Sequence, residues 1–219
     1  DYTFTEDIYV PIVVVADNIV IDGNSHTLQG PGSFGFYLSG RSGVTIRNVI
    51  IKGWSVGIYL GSPSFGNMIG GNTFSDNSYG VELFQANDNT IDGNVFENSW
   101  YHAIEVLYSD GNRITRNTVT NCGMTGISLQ SSSGGTICGN TIANNNEGIV
   151  LLGCTGTMIC HNNFVSNLLQ AQDAPGAGNC WYDPSLLEGN YWSDYTGVDD
   201  GSGTGKHAIA GDGIGDTMI

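Results

Sequence analysis

The sequence repeats itself with a period of 22 to 24 residues, and this repeat constrains the fold more than any other feature. An asparagine recurs with separations of 24, 24, 22, 23, 23 and 22 residues, at Asn24, Asn48, Asn72, Asn94, Asn117, Asn140 and Asn162. A small residue followed by an apolar-x-apolar triplet keeps nearly the same period, starting at Gly35, Gly57, Gly80, Ala103, Gly126 and Gly148. A fixed period of this length predicts a solenoid, in which each repeat forms one coil.

The content of each repeat predicts which solenoid forms. Short runs of alternating apolar residues are separated by Gly, Asn, Ser and Asp, which is typical of strands and turns, and no helical periodicity is present. We therefore predict an all-β, single-domain parallel β-helix of about seven coils. Two inward columns are expected, formed by Ile69, Ile91, Ile114, Ile137 and Ile159, and by Ile58, Val81, Ile104, Ile127 and Ile149. The recurring asparagines are expected at one corner, and a second corner is expected at Asn77, Asn98, Asn121, Asn145 and Asn167.

The ends of the chain depart from the repeat. Residues 1–17 contain short strand-like runs, and we expect them to cover the N-terminal end of the coils, which span residues 18–168. The strand signal stops after Leu168, so residues 169–178 are predicted to be a loop that interrupts the coil. Residues 169–219 are predicted to form a C-terminal cap, in which aromatic residues of 179–184 and 189–197 cover the last coil and an Asp/Gly-rich loop follows.

Charge and hydropathy exclude two classes of partner. The chain has 21 acidic residues, six Lys and Arg, and a net charge of −15. So few cations argue against nucleic acid, whereas the acidic excess suits either cation binding or simple solubility. No apolar run approaches the roughly 20 residues that span a bilayer. The chain begins at Asp1 without a signal sequence, as expected of a processed, secreted chain or of a fragment.

Five cysteines in a chain with few lysines favour an oxidising compartment. Cys138 and Cys160 occupy the same slot of consecutive repeats, and a separation of about 4.8 Å between neighbouring strands is compatible with a disulfide. Cys154 is a candidate partner of Cys180, and Cys122 is left over. The alternative is that all five are buried thiols that act as small apolar residues.

Several segments carry a resemblance to a known family. Residues 18–28, the recurring Asn-x-Ile-x-x-Asn coils, and the ending GNYWSDYTG at 189–197 with GDGIGDT at 211–217 resemble the NosD-type parallel β-helix repeat family. The resemblance implies a right-handed β-helix. The family includes a periplasmic copper-maturation protein and many secreted or cell-surface proteins of archaea. The coil repeats are shared with pectate lyases and other carbohydrate enzymes, whereas the C-terminal ending is more specific and points to the archaeal surface proteins. Residues 206–210 lengthen the acidic loop beyond the usual form.

The C-terminal loop is the best candidate metal site in the sequence. Ca²⁺ takes six to eight oxygen ligands from carboxylates and carbonyls, and alternating Asp and Gly residues supply both. The predicted calcium ligands are Asp194, Asp199, Asp200, Asp212 and Asp216. The alternative is a solvated acidic tail.

A second candidate site lies on the outward face of the apolar-x-apolar strands. The variable positions place Glu82 and Glu105 roughly 5 Å apart on adjacent strands, where one carboxyl pKa should rise or both should share a cation. His102 with a glutamate can perform acid–base chemistry. Sugar faces can stack on the neighbouring tyrosines, which are Tyr37, Tyr59, Tyr79, Tyr101 and Tyr108. The alternative is an ordinary solvated β-face, and the scattered basic residues disfavour a lyase or epimerase.

Three functions follow from these candidates. We expect first a secreted cell-surface or envelope structural protein that associates with itself or with other surface proteins and binds calcium. The alternative is a protein that binds or cleaves polysaccharide through the face of Glu82 and Glu105. A copper-related periplasmic function is disfavoured, because the four histidines fall at unrelated offsets and none pairs with a Met in a neighbouring coil: His26, His102, His161 and His207.

Overall fold

The computed structural model describes residues 1–174, 178–186 and 188–194 of the 219-residue chain. Within these ranges the strands are joined by turns, and no helix is present that could cross a membrane. The strands form three eight-stranded sheets in which each strand pairs in parallel with the equivalent strands of the neighbouring coils. The predicted right-handed parallel β-helix of about seven turns is confirmed.

Each complete coil contributes one strand to each sheet, and the sheets are numbered in the order in which such a coil meets them. Sheet 1 consists of Tyr2–Thr3, Val20–Asp22, Thr45–Arg47, Met68–Gly70, Thr90–Asp92, Arg113–Thr115, Thr136–Cys138 and Met158–Cys160. Sheet 2 consists of Thr27–Gln29, Ile50–Lys52, Thr73–Ser75, Val95–Glu97, Thr118–Thr120, Thr141–Ala143, Asn163–Val165 and Tyr191–Trp192. Sheet 3 consists of Ile12–Val13, Phe34–Ser39, Val56–Gly61, Tyr79–Phe84, Ile104–Leu107, Thr125–Gln130, Glu147–Leu152 and Leu169–Ala174.

The core is a set of side-chain columns that run along the axis. Both predicted apolar columns are confirmed, because their members pair in register and are at most 1% exposed. Sheet 2 adds a stack of aromatic rings, in which Phe74 and Phe96 lie 4.5 Å apart with an interplanar angle of 8°. Apolar burial of this kind is the main stabilising contribution to the fold.

The corner between sheets 1 and 2 is held by a ladder of buried asparagines. In a representative rung, the side-chain oxygen of Asn117 accepts hydrogen bonds from the backbone N–H and the side-chain amide of Asn94, at 2.9 and 3.0 Å. The Asn117 amide donates to the carbonyl of Ile91 at 2.9 Å. The ladder runs through Asn72, Asn94, Asn117, Asn140, Asn162 and Asn190.

Two of the recurring asparagines are not rungs of this ladder. Asn24 and Asn48 have left-handed backbones, with φ of 48° and 54°, and Asn48 directly precedes Val49, the partner of Asn72. The two 24-residue intervals in the sequence therefore involve asparagines that lie outside the ladder. Asn tolerates this conformation better than most residues.

The asparagines predicted to form the second polar corner also occupy two adjacent turn positions and not a single one. Asn77, Asn145 and Asn167 are buried, whereas Asn98 and Asn121 are left-handed turn residues with φ of 57° and 58°. The structure adds a third corner, not anticipated from the sequence, with buried and hydrogen-bonded Asn67, Asn89 and Asn112.

The small residue before each apolar triplet has a steric cause. A Cβ atom built on Gly57 would lie 2.6 Å from the carbonyl oxygen of Gly80, and one on Gly80 would lie 2.5 Å from that of Ala103. The coils approach each other closely at this point, which favours glycine at most turns of the column.

The coils continue beyond Leu168, so the loop predicted for residues 169–178 is wrong for its first six residues. Leu169–Ala174 pairs along its length with Glu147–Leu152. Its sequence, Leu-Gln-Ala-Gln-Asp-Ala, lacks a strand pattern, and the preceding coil supplies the hydrogen-bonding edge that orders it. Farther on, Trp192 stacks on Phe164 at 4.4 Å, so an aromatic ring covers the last coil as expected.

Candidate functional site

The outward row of sheet 3 brings the predicted acidic pair into direct register. Glu82 in Tyr79–Phe84 is the pairing partner of Glu105 in Ile104–Leu107. Because neighbouring strands lie about 4.8 Å apart, the two carboxyl side chains stand side by side. The order of the row is the one expected from the sequence: Tyr37, Tyr59, Glu82, Glu105 and Ser128.

Aromatic rings extend this row toward the N-terminal coils. Tyr37 and Tyr59 stack with ring centroids 5.4 Å apart and an interplanar angle of 14°. Phe34 packs against both rings, at 5.2 and 5.1 Å. The stack continues the line of the carboxyl pair, because Tyr59 is the strand neighbour of Glu82.

The other predicted tyrosines lie at the two ends of these strands. Tyr79 and Tyr101 stack at 5.5 Å at the beginning of the strands. Tyr108 follows the strand Ile104–Leu107 and meets the ring of Phe84 edge-on at 6.0 Å. The structure therefore places Tyr79 and Tyr101 together, and Tyr108 apart from them.

The two carboxyl groups differ in how strongly their surroundings oppose ionisation. Burial, followed by repulsion from Glu82, raises the pKa of Glu105 from 4.5 to about 7. Burial also raises the pKa of Glu82. A like charge close by makes it unfavourable for both groups to ionise, so the pair gives up its two protons in separate steps.

His102 lies beside the carboxyl pair as a largely buried imidazole. Its Nε2 is 3.8 Å from Oε1 of Glu105, and the two side chains are 14% and 17% exposed. Burial lowers the pKa of His102, and the backbone of Thr125 and the carboxylate of Glu147 offset part of this shift. The buried Nδ1 makes no hydrogen bond of normal geometry. The ring is therefore neutral at pH 7, within reach of Glu105 by a small movement.

This arrangement has the components of acid–base chemistry on a sugar. A carboxyl group with a pKa near 7 is protonated in part of the molecules at neutral pH and can donate that proton. The adjacent Glu82 supplies a second carboxyl group, and the tyrosines supply apolar ring faces.

Two arginines at sheet 1, Arg47 and Arg116, are neutralised by acidic groups. A shallow groove of about 460 Å³ there is lined by residues that include Arg47, Asp92 and Arg116. The Arg116 guanidinium donates to Asp92 and holds the pKa of that carboxyl below its usual value. Arg47 is paired with Asp22 at 2.9 Å. These arginines are committed to partners away from the glutamate pair.

A second cluster of reactive groups lies at the end of sheet 1. Cys138 and Cys160 are pairing partners, as predicted, and their sulfur atoms are 3.1 Å apart as free thiols. The next residue, His161, completes a group whose donor atoms all lie within 4.8 Å of one another. Burial, followed by the neighbouring Cys138, raises the pKa of Cys160.

The remaining cysteines are free thiols with separate partners. The sulfur of Cys154 faces the carbonyl oxygen of Leu129 at 3.5 Å, whereas that of Cys180 faces the carbonyl oxygen of Tyr182 at 3.2 Å. The backbone of Cys180 pairs with that of Met158 on sheet 1. The structure therefore gives Cys154 and Cys180 different neighbours. Cys122 is buried, which raises its pKa to about 11.

The Cys138, Cys160 and His161 cluster was not anticipated from the sequence. In the sequence, His161 has no Met in a neighbouring coil, and the spacing of Cys138 and Cys160 suggests a disulfide. The usable signal was the adjacent Cys160-His161 pair, one repeat after Cys138 in the same slot.

Of the predicted calcium ligands, only Asp194 lies in the described part of the chain. It is exposed, and it accepts a hydrogen bond from the side chain of Gln170 at 3.1 Å. The others lie outside the described residues: Asp199, Asp200, Asp212 and Asp216.

Several solved structures share this architecture. A mutant of the periplasmic alginate epimerase AlgG matches with a TM-score of 0.70 and 17% identity, over 76% of this chain and 44% of that one. A glycoside hydrolase matches with a TM-score of 0.66 and 13% identity, over 79% of this chain and 37% of that one. Tailspike protein 2 from Escherichia coli O157:H7 bacteriophage CAB120 matches with a TM-score of 0.58 and 20% identity, over 69% and 22%. At these identities the likeness shows the fold alone.

This chain spans less than half the length of the epimerase chains that it matches. Among curated proteins, none has a significantly similar sequence. A protein-family model does match, and it covers residues 6–197, which is most of the chain.

That model is described as the periplasmic copper-binding protein NosD. The extracytoplasmic location predicted from the sequence is confirmed by membership in a periplasmic family. The predicted resemblance is likewise confirmed: this chain belongs to the NosD family.

Proposed function

We propose that this protein binds a neutral polysaccharide along the outward face of sheet 3 and cleaves it with the carboxyl pair of Glu82 and Glu105. The observation that carries the proposal is the direct register of these two residues, with the pKa of Glu105 raised to about 7. The structural likeness to a glycoside hydrolase and to alginate epimerases supports action on a polysaccharide.

The two carboxyl groups have complementary roles in this proposal. Glu105 transfers its proton to the oxygen of the glycosidic bond as that bond breaks, and the Glu82 carboxylate bonds to the anomeric carbon. A water molecule, deprotonated by Glu105, then displaces Glu82 and restores both groups. The strand spacing of about 4.8 Å is close to the roughly 5 to 5.5 Å between carboxyl groups that this two-step route requires.

The tyrosines provide the binding surface. Tyr37 and Tyr59 form a stacked pair directly beside Glu82, and sugar rings present apolar faces that pack on aromatic rings. A net charge of −15 repels a polyanion, and Arg47 and Arg116 are paired with acids. These charges favour a neutral glycan over an acidic one.

The test is a screen of neutral and acidic polysaccharides for binding and for release of reducing ends. We expect Glu82→Gln and Glu105→Gln to keep binding but to lower cleavage about 1,000-fold or more, as for loss of an acid–base or nucleophilic group. Tyr59→Ala should weaken binding about 2- to 12-fold, the value of one aromatic contact. Glu97→Gln, an exposed glutamate on sheet 2, is the matched control. Absence of binding to any glycan, or equal cleavage by all variants, would refute the proposal.

A second candidate is the self-associating surface protein expected from the sequence. It is favoured by the apolar side chains exposed in the first coil, which are Tyr2, Tyr9, Val10, Val13 and Val15. An exposed strand edge with apolar side chains promotes pairing with another chain. Light scattering and electron microscopy should then show large ordered particles, and a monodisperse species of about 23 kDa would contradict it.

Calcium binding by the C-terminal loop belongs to this second candidate. Asp194 and the acidic residues beyond it supply hard oxygen ligands. If the loop binds Ca²⁺, a chelator should dissolve the assemblies, and added Ca²⁺ should restore them. Particles that are indifferent to the chelator would exclude a role for calcium in assembly.

A further inference from the structure

The cluster of Cys138, Cys160 and His161 has the donor set of a metal site. It comes from two adjacent coils at the C-terminal end of sheet 1, on a different face from the glutamate pair. Its two sulfur atoms and imidazole nitrogen lie within 4.8 Å of one another. We propose that these three residues bind one thiophilic metal ion, either Cu(I) or Zn²⁺.

The chemistry of the donors selects this class of ion. Thiolates are soft ligands that favour Cu(I) and zinc, and imidazole suits both metals. Mg²⁺ and Ca²⁺ prefer oxygen ligands and are excluded by two sulfur donors. Copper is also the metal named in the description of the family, and the donor set fits Cu(I).

The backbone position of His161 is a second, independent observation. The residue just before each ladder asparagine from Asn72 to Asn162 has a left-handed backbone; it is glycine in three coils, at Gly71, Gly93 and Gly139, and Arg116 in another. His161 adopts the same conformation with φ of 55°, which costs more for a residue with a side chain than for glycine. The imidazole is thus held at a turn where the fold itself favours glycine.

Carboxylates on the C-terminal segment flank the imidazole. Nδ1 of His161 lies 3.5 Å from Oε2 of Glu188, and Nε2 lies 3.7 Å from Oδ2 of Asp183. When one ring nitrogen binds a metal, the other still faces a carboxylate. Metal-binding histidines commonly have such a partner, which fixes the ring orientation and raises ligand basicity.

The sulfur separation suits a reduced pair that opens slightly around an ion. Metal–sulfur bonds of about 2.3 Å in a tetrahedral site place two sulfurs roughly 3.7 Å apart, whereas a disulfide requires about 2.05 Å. The observed 3.1 Å lies between these values. Oxidation to a disulfide therefore competes with metal binding, and the test must begin with fully reduced protein.

The experiment is an anaerobic titration of the reduced protein with Cu(I) and, separately, with Zn²⁺, each in competition with a chromophoric chelator. We expect one ion per chain for at least one metal, and X-ray absorption should show two sulfur ligands at about 2.3 Å. Binding of one metal and not the other identifies the ion.

Three variants locate the site. Cys138→Ser removes a half-buried sulfur, and His161→Gly restores the residue type found in other coils, so both should fold. Each should weaken binding at least 10-fold. Cys122→Ser, a buried cysteine in a different column, is the control and should bind as wild type. Cys180→Ser tests for a fourth ligand: an additional loss would extend the site, and no change would leave the three-residue site intact.

The proposal is overturned if reduced wild-type protein binds neither metal. It is equally overturned if Cys138→Ser and His161→Gly bind as tightly as wild type while their unfolding midpoints show that they are folded. Neither result depends on whether the outward face of sheet 3 acts on polysaccharide.

Discussion

The asparagine ladder and the glutamate pair are built by the same stacking and have opposite energetics. In the ladder, identical amides lie one coil apart, and each both donates and accepts hydrogen bonds, as Asn117 does with Asn94 and Ile91. On sheet 3, Glu82 and Glu105 also lie one coil apart, but ionised carboxylates can only accept. Stacking satisfies the amides, whereas burial, together with the repulsion that stacking adds, raises the pKa of the carboxyl group of Glu105.

The difference shows what a parallel β-helix does to any residue that it repeats. Register places like next to like, so a self-complementary side chain stabilises the coil and a side chain of one polarity opposes it. Chemically reactive groups therefore arise where the repeat brings non-complementary side chains together. The following variants alter either the asparagine ladder or the glutamate pair.

The largest effect is expected when the ladder is given the chemistry of the glutamate pair. Asn117→Asp keeps the shape but replaces the amide that donates to the carbonyl of Ile91 with an acceptor. Burying an unpaired charge should destabilise the protein by about 4 kcal/mol or more at pH 8. The carboxyl pKa should rise on folding, so the loss should shrink as pH falls toward 4. Urea unfolding at both pH values measures this, and a loss independent of pH would contradict it.

Removal of one rung should cost somewhat less. Asn117→Ala leaves the Asn94 backbone N–H and the Ile91 carbonyl without their partner, and each buried unsatisfied group costs about 1 to 3 kcal/mol. We expect a loss of about 3 kcal/mol in the free energy of unfolding. Asn98→Gly, at an exposed left-handed turn, is the control and should change stability by less than about 1 kcal/mol. Equal losses in both variants would show that the ladder is not special.

Relief of the acidic pair should stabilise the protein only at higher pH. The pKa of Glu105 is higher in the folded state, so the folded protein binds more protons between pH 4.5 and about 7 and loses stability as pH rises through this range. Glu105→Gln removes this loss and should gain about 1 to 2 kcal/mol at pH 8, after allowance for solvent screening, and nothing at pH 4. Unfolding curves from pH 4 to 8 test this, and a gain that is the same at both ends would refute it.

The smallest effect is expected for the second substitution in the pair. Once Glu105 is Gln, its amide can donate to Glu82, so the double variant Glu82→Gln/Glu105→Gln should gain less than about 0.5 kcal/mol over the single variant at pH 8. A double-mutant cycle measures the interaction between the two residues. If the two gains simply add, the carboxyl groups do not repel each other in the folded protein.

The columns can be predicted from the sequence, because the repeat period by itself determines which residues lie in register on neighbouring coils. Ile91, Ile114 and the Glu82–Glu105 pair follow from spacing alone. The exact position of a residue within its turn does not follow from the spacing. Asn48 and Asn72 are both recurring asparagines, yet only Asn72 is a rung of the ladder. A one-residue shift at a turn leaves the composition unchanged and reverses the role of the side chain.

Pairing with a neighbour also creates structure that local sequence does not encode. Leu169–Ala174 has no alternating pattern and becomes a strand because Glu147–Leu152 offers an edge. The cluster of Cys138, Cys160 and His161 joins different residue types from two adjacent coils and two neighbouring columns, so no column of identical residues in the sequence reveals it.

The ladder asparagines recur at the same position in successive coils, so a whole coil can be gained or lost as a unit. Residues 94–116 run from one ladder asparagine to the residue before the next, so their removal would join Gly93 to Asn117 and keep every column aligned. Duplication or loss of such a segment changes the length of the rod without disturbing the packing of its neighbours. Insertion or deletion of a single residue, in contrast, would move the residues that follow it out of their columns. Genes for such proteins can therefore lengthen or shorten in whole coils, and new surface chemistry can enter one coil at a time.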